Sequence, residues 1–209
     1  DYNKVKNDPD AQTYDYLDFL NGTVVVKDKA VNTFYSYKFI GLSPLSGGPV
    51  FDDYEERQHE LDGLSKYETF KKVLTASGRR EPYMSGNLTT NLSYKNIRLS
   101  GTFAYSLGAK VRLFQMYRSE LIAPESNLRR ELLDRWQNPG DEKHTNIPAV
   151  IGRYEPYYFT YNEHWSQTSY YNVQPFASSL WNMYDYSDLR VVSGNYLKCN
   201  NLMVTYEFG

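Results

Sequence analysis

Hydrophobic and polar positions alternate most regularly between Asn87 and Leu107. Leu88, Thr90, Leu92 and Tyr94 fall on one face of an extended segment, and Asn87, Thr89, Asn91 and Ser93 fall on the other. After Lys95-Asn96 the alternation becomes stricter. Ile97, Leu99, Gly101, Phe103, Tyr105 and Leu107 face one way, against Arg98, Ser100, Thr102, Ala104 and Ser106. Two period-two runs joined by two residues predict a β-hairpin. A second such pattern lies near the C-terminal end. Leu189-Arg190-Val191 leads to Tyr196-Leu197-Lys198-Cys199, Asn200-Asn201 is expected to turn the chain, and Leu202, Val204, Tyr206 and Phe208 then oppose Met203, Thr205 and Glu207.

Elsewhere the pattern is weaker. The first thirty residues read as loop with a short strand at Thr23–Lys27, and the aromatic and β-branched run Asn32–Leu42 reads as a strand. The Pro and Gly signals of Ser43–Pro49 predict a turn. A helix is expected near Tyr67–Leu74, ending before Ser77-Gly78. Another is expected over Asn127–Gln137, with Ser126 as N-cap, Leu128, Leu132, Leu133 and Trp136 on one face, and Asn138-Pro139-Gly140 as its stop.

Alternation fits both a soluble sandwich and a membrane barrel, so strand length and connections carry the choice. Ile97 to Leu107 spans roughly 33 Å along a strand, or about 25 Å when tilted by about 40°, the height of the apolar band of an outer-membrane barrel. A soluble strand more often stops at about 5–6 residues. Two-residue turns at one end and long loops at the other, over about 43–85 and 118–188, also suit such a barrel. The fold expected is all-β: part of a large antiparallel transmembrane β-barrel with long outer loops carrying short helices. The alternative is a secreted or surface β-sandwich that binds carbohydrate through an aromatic loop.

Composition narrows the classes further. The 23 Lys and Arg against 25 Asp and Glu leave a net charge of -2, which excludes a nucleic-acid binder that works by bulk charge. No apolar run exceeds three residues, as in Val24-Val25-Val26, so no segment reads as a membrane-spanning helix. The mean hydropathy of -0.65 leaves strands free to cross, because half of an alternating strand faces water. The 21 tyrosines suit interfacial girdles and argue against disorder. The single cysteine, Cys199, cannot form an internal disulfide and reads as a small apolar residue, buried or facing the membrane. The opening Asp1-Tyr2-Asn3 has neither Met nor a signal segment, so a processed chain or a piece of a longer one is expected.

Three blocks resemble the C-terminal barrel portion of SusC/RagA-like TonB-dependent outer-membrane transporters. The first is Tyr35-Ser36-Tyr37-Lys38-Phe39-Ile40-Gly41-Leu42-Ser43-Pro44 with Gly47-Gly48-Pro49, where Ser43 stands in place of the family's Asp. The second runs from Pro82 to Lys110, through Ser85-Gly86-Asn87-Leu88, Tyr94-Lys95-Asn96 and Tyr105-Ser106-Leu107-Gly108-Ala109-Lys110. The third joins Arg135-Trp136-Gln137-Asn138-Pro139-Gly140-Asp141, Thr145-Asn146-Ile147-Pro148 and Gly194-Asn195-Tyr196-Leu197-Lys198-Cys199-Asn200-Asn201. The resemblance implies a barrel of roughly 22 strands with an N-terminal plug, in the bacterial outer membrane and in contact with its lipid. It also implies a SusD-like surface lipoprotein partner, energy from the TonB complex, and import of glycan or peptide fragments. No stretch of residues 1–209 resembles the plug or the TonB-contacting segment, and closing strands after Phe208 are expected to be absent, so these residues are read as a partial barrel domain.

On this reading the ligand-contact candidates are the outer-loop aromatics Tyr157, Tyr158, Trp165, Tyr170 and Trp181, whose faces can stack on sugar rings or peptide side chains. Each could equally pack inside the loop or contact a partner. Arg98, Arg112 and Lys198 are candidates to line the lumen. The run Asp52-Asp53-Tyr54-Glu55-Glu56 lacks the spacing of a Ca²⁺ loop, and His59, His144 and His164 are isolated, so neither a metal nor a cofactor is expected. Asp134, Asp141 and Glu142 beside a helix stop read as surface groups, not as a glycosidase pair, and no enzyme activity is expected.

Overall fold

A computed structural model of the protein describes residues 14–116, 129–151, 156–157 and 179–208. Its described strands form one three-stranded and three two-stranded sheets, none of them closed, together with short helices. Two regions differ in character: a long-stranded sheet and a packed lobe.

The sheet contains β5 (Met84–Tyr94), β6 (Ile97–Leu107) and β9 (Tyr196–Tyr206), each of 11 residues, antiparallel in the order β5-β6-β9. Tyr94 pairs with Ile97 across the two-residue turn, where Lys95 takes a φ of 50°. Register then assigns the faces, because side chains alternate along each strand and paired residues share a side. Leu88, Leu92, Leu99, Phe103, Leu197, Cys199, Leu202 and Val204 lie on one face, which carries no charged residue. Asn87, Thr89, Asn91, Arg98, Ser100, Thr102, Lys198, Asn201 and Thr205 lie on the other. The apolar face is bare: Leu88 is 61%, Leu197 74% and Val204 67% exposed. Aromatic residues bracket it. Tyr94 and Tyr206 flank Ile97 at the turn end, and toward the other end the Tyr105 ring covers Gly86, where a Cβ would come within 2.9 Å of its hydroxyl.

The turn expected at Asn200-Asn201 is absent. β9 runs straight through, and its register against β6 shifts between Thr102 and Phe103, so that Asn201 pairs with Thr102, Cys199 with Phe103, and Asn200 is left as a bulge. The extra residue restores the facing: without it, Leu197 and Cys199 would fall opposite Leu202 and Val204. Turn-forming residues here relieve a bulge instead of reversing the chain.

Beyond the apolar zone the same strand pair bends into the lobe. The Gly108 amide donates to Asn195 Oδ1 at 2.6 Å and the Gly194 amide to the Ala109 carbonyl at 2.9 Å. β7 (Lys110–Arg112) and β8 (Val191–Ser193) then continue the ladder. Expected strand at Leu189-Arg190 is instead a 3₁₀ turn, Asp188–Arg190.

The lobe is built from short pieces. Helix α1 (Tyr16–Asn21) lies where loop is expected; Asp15 and Asp18 form a reciprocal capping box, and Gly22 closes the helix with a φ of 73°. Thr23–Lys27 pairs as no strand: Val24 and Val26 enter the core, while the Val25 carbonyl accepts the Tyr67 hydroxyl at 3.4 Å. The single strand expected over Asn32–Leu42 is split into β1 (Thr33–Ser36), paired with β4 (Thr75–Arg79), and β2 (Phe39–Leu42), paired with β3 (Pro49–Phe51). The break occurs because Tyr37 changes partner. Its amide donates to the Tyr186 carbonyl, its carbonyl accepts the Asp188 amide, and Asp188 Oδ1 accepts the Phe39 amide at 3.0 Å. Helix α2 (Lys66–Val73) matches the expected one, capped by Ser65 and carrying Lys71 and Lys72 in its last turn. Helix α3 (Leu180–Asp185) is capped by Ser179.

One core joins these pieces. Phe19 packs edge-on against Tyr35 and Phe70, Phe39 against Phe51 and Tyr184, and Trp181, Met183 and Leu132 complete the cluster. The expected helix Asn127–Gln137 is a 3₁₀ turn over Arg130–Asp134; Ser126, Asn127 and Leu128 lie outside the described residues. It stops early because the chain becomes extended at Arg135, and the Trp136 amide donates to the Ile147 carbonyl at 2.9 Å instead of continuing a helix. Leu132 and Trp136 are buried, whereas Leu133 is exposed.

Candidate functional site

The β2–β3 hairpin supplies the base of two adjoining grooves in the lobe. Phe39, Leu42 and Phe51 turn inward, which leaves Ile40 and Val50 on the outer side. Between the strands, the Gly47 amide donates to the Ser43 carbonyl and the Ser43 amide to the Gly48 carbonyl, both at 2.8 Å, and Leu45 stands out at the tip. Gly47 is required there. Its φ is 65°, and a Cβ would sit 2.3 Å from the Trp136 ring.

Trp136 is in turn fixed by its surroundings. Its indole N–H donates to Glu142 Oε2 at 3.3 Å, and Glu142 also accepts the Gly140 amide at 2.8 Å. Asp141 Oδ2 accepts the Gln137 and Asn138 amides at 3.0 and 2.8 Å. The Asn138 and Gln137 amides hold the Asp141 carboxyl below its usual range. The backbone N–H groups of Glu142 itself and of Gly140, with the Trp136 indole, do the same for Glu142. Both carboxylates cap the turn that follows Trp136.

The first groove, about 530 Å³, is lined by Ile40, Leu45, Val50, Tyr54, Arg57 and Tyr157 among others. The second, about 390 Å³, runs from Leu45 and Tyr157 to Arg135, Trp136 and Gln137. Tyr157 therefore stands where the two meet, 50% exposed and with a φ of 71°, a left-handed backbone that a bulky residue rarely adopts. Arg57 stacks over the Tyr54 ring at 4.3 Å and pairs with Asp52 at 2.8 Å, giving the apolar floor a charged rim. Aliphatic, aromatic and charged groups converge here on one face. Such a lining can hold an extended ligand by stacking, with a polar group at the rim.

The other expected site residues are scattered. Trp181 is 4% exposed and belongs to the core, where it serves packing. Arg98 and Lys198 lie on the polar face of the sheet, with Arg98 3.8 Å from Glu207. Arg112 sits away from that face, in the lobe. It donates to the Leu20 and Tyr35 carbonyls and to Ser36 Oγ, and stacks over the Tyr186 ring at 4.7 Å. Tyr158, Trp165, Tyr170 and His164 lie outside the described residues. Among the described residues no group of three or more His, Cys, Asp or Glu is arranged to hold a metal.

No protein-family model matches the sequence, and no curated protein matches it. Among solved structures, that of the RagAB peptide transporter is similar over 83% of this chain, with a TM-score of 0.48 and 16% identity. The chain spans 16% of the length of that one.

Sequence reasoning missed Ile40, Leu45 and Val50. Ile40 and Val50 carry a legible signal: each is the odd position of a short strand whose neighbours face inward. Leu45 has only a local one, an aliphatic residue in the middle of a Pro and Gly turn.

Proposed function

We propose that this chain is a segment of an outer-membrane β-barrel importer, with the apolar face of β5-β6-β9 against lipid and the polar face toward a wet lumen. The observation that carries this reading is the uncharged, exposed face on strands of 11 residues. In water such a face would leave a large apolar patch uncovered. In a bilayer, tilted by about 40°, the strands match an apolar band of about 25 Å, and the tyrosines near both ends suit the girdles. The backbone supports the same reading. β5 and β9 each keep one edge without a strand partner among the described residues, and in hydrocarbon such an edge must be paired by a further strand.

The finer reading rests on the resemblance in sequence. On it, the barrel is TonB-dependent, works with a SusD-like surface lipoprotein and takes up glycan or peptide fragments. The lobe lies outside, beyond the end opposite the Lys95-Asn96 turn, and Tyr157 with its two grooves meets the ligand. A soluble sandwich would need a second sheet over the apolar face, and the described residues supply none.

Cys199, the single cysteine, is a built-in probe on the apolar face. A fluorophore attached there in liposome-reconstituted protein should be quenched by phospholipids brominated along their chains, and spared by aqueous iodide. The reverse pattern, or equal protection from both, would refute lipid contact and favour the sandwich.

A further inference from the structure

A third pocket, about 460 Å³, lies on another side of the lobe and is lined by Arg80, Arg112, Leu113, Phe114, Asp185 and Tyr186 among others. Two of the lining residues are cations that share one ring as a neighbour. The Arg80 and Arg112 guanidinium carbons lie 5.9 and 5.1 Å from the centroid of the buried Phe34 ring, so they are at most about 11 Å apart, the sum of those distances. Among the described residues neither is paired with a carboxylate. Arg112 donates from its two terminal nitrogens to two carbonyls and a hydroxyl, and Arg80 is exposed.

The acidic groups nearby are engaged elsewhere. Asp185 is 2% exposed and accepts the Met116 amide at 2.7 Å. Glu81 accepts the Asn32 side-chain amide at 2.7 Å. Burial above all, and Arg80 after it, lowers Arg112 to about 10, while Tyr186 and Tyr37 act the other way. Arg112 thus stays charged at neutral pH, and the lining carries two positive charges that repel each other beside the one carboxylate of Asp185. Beside them Phe114 is 87% exposed.

We propose that the pocket between Arg80 and Arg112 binds the carboxylate of a small organic acid, with Phe114 against its apolar part. A planar carboxylate matches the open fork of Arg80, and its charge relieves the repulsion with Arg112. Phe114 supplies the apolar surface that separates an organic acid from a bare inorganic anion. The proposal concerns the lobe alone and does not depend on what the sheet faces.

The test is titration of the full chain in detergent micelles with 4-fluorophenylacetate, followed by fluorine NMR. Saturable binding is expected, and neutral 4-fluorophenylacetamide should bind at least about tenfold more weakly. Arg80→Ala and Arg80→Gln should each weaken the acid by about tenfold or more, with the near-ultraviolet dichroism of the lobe unchanged. Phe114→Ala should weaken acid and amide alike. No saturable binding, equal affinity for acid and amide, or full affinity in both Arg80 variants would each overturn the proposal.

Discussion

In the lobe, Phe19, Leu20, Phe70 and Leu61 are sealed inside a common core; on the sheet, Leu88, Leu197, Leu202 and Val204 stand in the open. The residue types are alike, and the difference lies in what surrounds them. The lobe gathers short helices and two-stranded ribbons until their apolar sides meet. The sheet extends three strands to equal length and gathers most of its large apolar side chains on one side, with none of the described strands placed over it. A region that buries its own apolar surface can be stable in water. A region that sorts it onto one exposed face leaves that surface open to a partner, which on the proposed reading is lipid.

The sharpest way to break this comparison is to damage one region and watch the other. Phe19→Ala removes a fully buried ring and should cost about 3–5 kcal/mol of lobe stability. Near-ultraviolet dichroism and limited proteolysis should show the lobe opening while strand content in micelles is retained. Loss of both together would mean that the two regions are one cooperative unit. Next in size is Leu99→Arg on the apolar face. It should cost about 2–4 kcal/mol in a membrane-assembled barrel, whereas Ser100→Arg, one residue on and facing the other way, should cost little. Equal costs, read from heat-modified gel mobility and urea titration, would mean that the two faces have no different solvents.

Gly47→Ala tests the groove. A Cβ 2.3 Å from the Trp136 ring, at a φ of 65°, should cost about 1–3 kcal/mol and shift the tryptophan emission. An unchanged spectrum would detach Trp136 from the groove wall. The smallest effect at neutral pH comes from Tyr184. Burial raises its phenol from 10.0 to about 12, so the folded lobe keeps a proton that the unfolded chain has lost. That stabilisation is complete below pH 10 and disappears as the pH rises towards 12. Tyr184→Phe should flatten the alkaline fall in lobe stability, and an unaltered slope would assign the fall to other groups.

What could be read from sequence follows how local each interaction is. The β5–β6 hairpin was legible because its pattern and turn lie within 24 residues of continuous chain, Met84 to Leu107. Helix α2 was legible from the local pattern over Tyr67–Leu74, ahead of the break at Ser77-Gly78. The lobe was not, since the partners that define it are remote: Phe39 with Asp188, Arg112 with Leu20, Tyr37 with Tyr186. Those contacts split an apparent strand and took Arg112 away from the polar face. Asn200-Asn201 was misread because a bulge and a turn use the same residues; only pairing with β6 separates them. For the site, Tyr157 was named for its aromatic ring. Its neighbours Ile40 and Val50 carry only a short signal, one outward position in strands of four and three residues, and the pairing of β2 with β3 makes their facing plain.

Asn200 serves β9 as a parity bit. Counted from Tyr206 downward, even residues point to the apolar side as far as Leu202; beyond Asn200 the odd ones do. Deleting this one asparagine would leave composition and hydropathy almost untouched, yet it would swing Leu197 and Cys199 to the polar face and carry Lys198 onto the apolar one. A one-residue change in length at this position is therefore worth more to the assembly than most changes of identity, and a length variant elsewhere in β9 could be repaired by gaining or losing the same bulge.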